Sequence, residues 1–189
     1  AHALARLLPA RGWQIAEIVT RSSSSRARAL GREVRANATT MARAKWAGGI
    51  VWLAVSDGAI GELGSALAAV TNWKGKIVIH SSGALSSHAL LPLRRRGAHV
   101  ASVHPMMTFV LGETPEMAEV VWTVEGDPVA VNAARRIVHA MGGEALSIDR
   151  RHKPMYHAFG AFLSPLLVVH LVTASRLAAK AGIPKKHLR

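Results

Sequence analysis

Two apolar runs that each end on a histidine, and a lysine and a third histidine on a later helical stripe, are the residues of this chain best suited to chemistry. Ile77-Val78-Ile79 leads into His80-Ser81-Ser82-Gly83, and Val100-Ala101-Ser102-Val103 leads into His104-Pro105. Imidazole titrates near neutral pH, so it can take or give a proton while neighbouring hydroxyls hold an oxygen in place. Lys153, His157, Gly160 and Ser164 recur at i, i+4, i+7 and i+11, one polar or small stripe on an otherwise apolar helix. There Lys153 suits polarising a carbonyl or binding an anion, and His157 suits donating a hydrogen bond or shuttling a proton. The catalytic candidates are His104, Ser82, Lys153 and His157, with Ser81, His80 and Ser164 as substrate contacts. Plainer readings stand beside these: strand-end histidines satisfied by backbone groups, Lys153 in a solvated first turn, His157 packed on a sheet. Tyr156, the only tyrosine, is about 100° round the helix from the stripe and ranks lower.

The elements that must position these residues follow from hydrophobic periodicity. Between the two histidine clusters, Leu85, Leu90, Leu91 and Leu93 are spaced for one buried helical face, closed by Arg94-Arg95-Arg96 and Gly97. Strand, crossover helix and strand make one βαβ unit, whose parallel strands bring both polar clusters to the same carboxyl edge. Further strands are predicted over 15–20, 49–55, 120–124 and 145–148, with helices over 1–11, from 57 through Leu67, and over 127–141. Residues 32–47 read as a weak strand or loop and then a short helix. This alternation predicts an α/β, doubly wound, mostly parallel sheet. It ceases near Asp149, so the expected organisation is a nucleotide-binding domain over 1–149 and the start of an all-helical domain over 150–189. The apolar segment 159–174 falls short of the roughly 20 residues of a spanning helix and reads as a buried helix; no membrane partner is expected.

A dinucleotide fold opens with strand, glycine-rich turn and helix. Here a helix is already under way at residue 1, so both chain ends are expected to be cut and the glycine-rich turn to fall outside this sequence. The next strand ends on Thr20-Arg21-Ser22-Ser23, with Arg26 one turn on and no carboxylate at the tip. Arginine and hydroxyls suit a ribose 2′-phosphate, where an acidic residue would suit the 2′-hydroxyl. Arg21, Ser22, Ser23 and Arg26 therefore point to NADP rather than NAD, against the plainer reading of a solvated turn whose serine caps a helix. Val55, Ser56 and Asp57 lie where a further strand end meets the cofactor, although Asp57 also suits a helix cap. Gly83 would let the backbone come close to the nicotinamide ribose.

Composition sets wider limits. Lys and Arg number 24 against 11 Asp and Glu, a net charge of +13, but the basic residues are scattered and aromatics are few, so nucleic acid is not an expected partner. The absence of cysteine excludes disulfides and thiolate metal sites and is compatible with a cytoplasmic location. Ten histidines show no H-E-x-x-H or compact carboxylate set, so no metal is expected.

The segments Leu53-Ala54-Val55-Ser56-Asp57, Val78 to Leu85, Ser102-Val103-His104-Pro105-Met106, Val124-Glu125-Gly126-Asp127 and Lys153 with Tyr156-His157 resemble bacterial Rossmann-like proteins whose C-terminal half is catalogued as domain of unknown function 2520. More distantly the layout is similar to prephenate dehydrogenases, pyrroline-carboxylate reductases and 3-hydroxyacid dehydrogenases. The resemblance implies an NAD(P)-dependent oxidoreductase acting on a small-molecule substrate, and a homodimer in full-length relatives. By the same resemblance, Ser82 and His104 match the serine and the His-Pro histidine that engage a substrate hydroxyl. Ser164-Pro165 departs from the serine-asparagine-like pair expected there. The rival reading is a non-catalytic dinucleotide-binding sensor or interaction module.

Overall fold

The computed structural model describes residues 2–109 and 114–187. Helix α1 (His2–Leu7) and a 3-10 turn (Pro9–Arg11) stop at Gly12, whose φ of 82° only glycine adopts freely and whose N–H returns to the Pro9 carbonyl. Strand β1 (Glu17–Thr20) pairs in parallel with β2 (Asn37–Thr40) across helix α2 (Ser25–Glu33). Ser24 caps α2 by accepting from the Ala27 N–H. The ambiguous stretch 32–47 thus resolves as the end of α2, a strand and a turn, with no helix over 41–47. The β-branched Thr39 and Thr40 favour the strand, lying opposite Val19 and Thr20.

The main sheet runs β3 (Ile50–Leu53), β4 (Ile77–His80), β5 (His99–Pro105), β6 (Val121–Gly126), β7 (Glu144–Ser147) in spatial as well as sequence order. Neighbours are parallel except β5 and β6, which are antiparallel. Parallel pairing needs a crossover, usually a helix, and no helix is described between Pro105 and Val121. Helix α3 (Asp57–Leu67) and the short α4 (Leu91–Arg95), preceded by a 3-10 turn (Ser87–Leu90), cover one face; helix α5 (Pro128–Ala140) and α1 cover the other. Alternate residues feed the two cores. Val78 and Val100 pack with Ile60, Leu67, Leu90 and Leu93, whereas Ile79, Ala101, Trp122 and Val124 pack with Ala134, Ile137 and Val138. The fold is α/β with a mostly parallel sheet, covered on both faces.

The same alternation sets the polar face. His80 pairs with Ser102, Ser102 with Glu125, and His104 with Thr123, and residues directly opposite in a sheet point to one side. A polar strip therefore crosses three strands beyond the area that α3 and α4 cover. The chain returns over it in a helix running from Arg150 to Lys180. This helix opens with a 3-10 turn (Arg150–His152), continues as α6 (Lys153–Ala161), widens into a π turn (Phe162–Leu166) and resumes as α7 (Leu167–Lys180). Pro165 lies in the π turn, where the altered hydrogen bonding accommodates a residue with no N–H.

The expectation of a buried helix over 159–174 is overturned. Phe162 is 71% exposed, Leu171 60% and Val169 59%, because no other described element packs along α7. By length and composition alone this helix is long and apolar enough to cross a membrane. The helix extends on both sides of the apolar segment 159–174, from Arg150 to Lys180.

Candidate active site

The loop after β4 is built from internal hydrogen bonds. The His80 ring is fully buried; its Nδ1 accepts from the Ser82 N–H at 3.2 Å and its Nε2 lies 3.1 Å from the Ser86 carbonyl. One nitrogen must accept and the other donate, so the ring is neutral with its proton on Nε2. Burial pushes its pKa down to about 4, against the opposing effect of the Ser86 bond. His80 therefore braces the turn in this structure. Ser81 turns away, its Oγ accepting from Trp52 Nε1 at 2.7 Å.

Ser82 and Lys153 are likewise engaged within the protein. Ser82 Oγ donates to Asp57 Oδ2 at 2.6 Å and accepts from the Leu85 N–H at 2.8 Å. The Lys153 ammonium, in a fully buried side chain, donates to the Ser82 carbonyl at 2.9 Å and to Ser102 Oγ at 2.7 Å. Ser102 Oγ in turn donates to that same carbonyl at 3.2 Å. Burial lowers the Lys153 pKa to about 8, with Glu125 and Asp57 holding it up. Neither Ser82 Oγ nor the lysine faces an open cleft. In this structure they fasten α6 and the start of α3 onto the Ser82 turn. Asp57 begins α3 one residue past the cap position, which Ser56 occupies without a side-chain cap bond.

The remaining members stay open. His104 Nδ1 lies 2.9 Å from Tyr156 Oη, and its ring meets those of Tyr156 and His157 edge-on, with centroids 5.6 and 6.0 Å away. Gly83 sits beneath: a Cβ there would collide with His157 Nδ1 and lie 2.9 Å from His104 Nε2. The room expected over Gly83 for a cofactor is thus bounded by two imidazoles, and only glycine permits their approach. Burial, with the charges of Lys153 and His157, lowers the His104 pKa to about 4, while burial raises that of Tyr156. His157 is exposed. Farther along, Ser164 Oγ lies 3.4 Å from Thr108 Oγ1, and Gly160 faces open space.

Structure thus joins the Ser82 turn, His104 and the Lys153–Ser164 stripe at one edge, and adds Tyr156 and Ser102. Ser102 was legible as part of the period-2 polar alternation with His104 and its neighbours. Tyr156 follows Lys153 at i+3, close enough for one helix face, whereas the polar and small stripe runs through His157. Arg21, Ser22, Ser23 and Arg26 lie exposed at the end of β1, apart from this hydrogen-bonded group; Ser23 Oγ accepts from Arg28 at 2.6 Å. Val55 and Ser56 are exposed at the start of α3. A separate cavity of about 330 Å³ is lined by Ser87, His88, Arg94, Glu125, Asp127 and Arg150 among others. Its charged groups are already engaged, Arg94 with Asp127 and Glu125 with Ser87.

A sheet covered on both faces, with polar side chains gathered at its edge beneath a long helix, defines a dinucleotide-fold class of protein. The chain belongs to the Rossmann-like family, which it matches over residues 1–105. Residues 120–189 match the domain of unknown function DUF2520. No curated protein matches. Among solved structures, a Bacteroides fragilis protein carrying the provisional name NADP oxidoreductase is 20% identical, with a TM-score of 0.80 over 97% of this chain and 70% of its own. A Thermotoga maritima protein is 23% identical, with a TM-score of 0.75 over 100% of this chain and 70% of its own. An imine reductase from Myxococcus stipitatus, solved with NADP+, is 16% identical, with a TM-score of 0.74 over 98% of this chain and 65% of its own.

Proposed function

We propose that this protein is an NADP-dependent oxidoreductase acting on a small carbonyl/hydroxyl or imine/amine substrate, between a nucleotide-binding part (1–149) and a helical part (150–189). The observation that carries the reading is the His104, Tyr156 and His157 group, which keeps ring nitrogens turned to the gap over Gly83 while His80, Ser82, Ser102 and Lys153 beneath it are hydrogen-bonded to one another and to their neighbours. Similar structures whose names include NADP oxidoreductase and imine reductase support it. The cofactor end fits as well. Arg21 and Arg26 are exposed and form no ion pair among the described residues, and they would hold a 2′-phosphate with Ser22 and Ser23. Val55, Ser56 and Asp57 at the start of α3 would border the ribose and phosphates. NADP(H), when bound, supplies or accepts the hydride. Within the chain, His104 gives or takes the proton at the substrate oxygen or nitrogen, His157 and Ser164 line the approach, and the Lys153 network holds the Gly83 floor. A small-molecule partner, a cytoplasmic setting and a homodimeric whole protein go with this reading.

A second reading, a dinucleotide-binding sensor, is favoured by one observation: Ser82 and Lys153 have no polar group facing a ligand. Calorimetric titration of a full-length version with NADPH and NADH, followed by a carbonyl and imine screen, separates the two. Arg21→Ala should weaken NADPH binding roughly tenfold, the loss of one charge-assisted contact, and leave NADH unchanged. Equal losses for both cofactors would remove the 2′-phosphate assignment. NADPH binding without turnover of any screened carbonyl or imine would favour the sensor.

A further inference from the structure

We propose that Tyr156 is a positioning residue whose hydroxyl, by donating to Nδ1 of His104, holds that ring with its proton on Nε2 and turned into the gap over Gly83. The contact is 2.9 Å. Its direction follows from acid–base chemistry: phenol is a stronger acid than the N–H of neutral imidazole, and the imidazole lone pair is a stronger base than a phenol oxygen. The opposite ring atom, Nε2, faces the Gly83 floor that His157 Nδ1 also faces, and no protein acceptor takes its proton among the described residues.

This arrangement solves a supply problem, given the oxidoreductase reading above. The titratable groups facing His104 are Lys153, Tyr156 and His157 from α6 and, more distantly, Asp57 from α3, and Thr123 lies opposite it on β6. Burial and the nearby positive charges keep the ring neutral at neutral pH. A neutral imidazole donates only from the nitrogen that bears its single proton, so the partner of Nδ1 decides whether Nε2 can act as an acid. As an oxygen or nitrogen of a bound carbonyl or imine gains charge, the Nε2–H bond breaks and the new O–H or N–H bond forms. Nδ1 then takes the Tyr156 proton, and the half-buried phenol recovers one from water. One solvent proton is consumed and no side chain changes oxidation state.

The test uses the chain with 15N-labelled histidine and long-range 1H–15N correlation at pH 7, with His104→Gln identifying the signals. The expected result is an Nε2-protonated His104, an Nδ1 shifted as a hydrogen-bond acceptor, and a neutral ring persisting to about pH 5, above its pKa of about 4. In Tyr156→Phe the Nδ1 signal should move to that of a free imine-type nitrogen with the melting temperature unchanged. A proton on Nδ1 of the unaltered protein, which needs no variant to detect, would overturn the proposal. So would an Nδ1 signal indifferent to Tyr156→Phe. NADPH titration of a full-length version, read by the same NMR signals, keeps the two readings apart. Failure to bind NADPH with the expected tautomer present would sink the oxidoreductase reading alone, whereas binding with the wrong tautomer would sink the Tyr156 assignment alone.

Discussion

The inner and outer halves of the polar cluster both contain histidine and do opposite things with it. In the inner half, His80, Ser82, Ser102 and Lys153 turn their polar atoms to one another, to Asp57 and to backbone groups. In the outer half, His104 uses one nitrogen on Tyr156 and keeps the other turned to the gap, and His157 reaches solvent. The difference is burial. A polar atom without water must find a protein partner or lose roughly 1–3 kcal/mol, so most deep groups here are drawn into the framework, Thr123 Oγ1 being an exception, and the rim groups remain available for a ligand. Histidine and serine at a strand end mark a polar edge; depth along the strand decides which of them hold the fold.

That contrast is sharpest at Lys153. Replacing it with Ala should destabilise the protein by about 3 kcal/mol, since it opens a cavity and removes a buried donor from Ser82 and Ser102; urea unfolding measures this. A loss below about 1 kcal/mol would place the lysine outside the framework. The unaltered protein should also gain stability as pH rises from about 8 to 10.5. The folded-state pKa lies below the unfolded value of 10.5, so the unfolded chain binds more protons in that window. The Ala variant should lack this rise.

Gly83→Ala tests the boundary between the halves. A methyl group there meets His157 and His104, and because the exposed His157 can swing aside, the expected loss is about 1–2 kcal/mol. The His104 NMR signals should shift while those of His80 stay in place. Equal shifts in both would show the halves to be one unit. The smallest effect is expected at Ser164→Ala, which removes an exposed 3.4 Å contact with Thr108. Its change in stability should be under about 0.5 kcal/mol, and a larger one would extend the framework to the π turn.

By itself the sequence determined the alternation of strands and helices, the carboxyl edge shared by the β4 and β5 ends, the placement of Arg21 and Arg26 at a strand tip, and the stripe from Lys153 to Ser164. These follow from periodicities of 2 and 3.6 residues, which are local and survive without knowledge of neighbours. Tertiary structure alone decided that β6 runs against β5, that Lys153 and Ser82 lie inside, and that Tyr156 rather than a carboxylate partners His104. It also left the apolar helix from Arg150 to Lys180 uncovered, contrary to its composition. Each of these depends on which groups from distant parts of the chain displace water around a given atom, and spacing along one helix or strand carries no record of that.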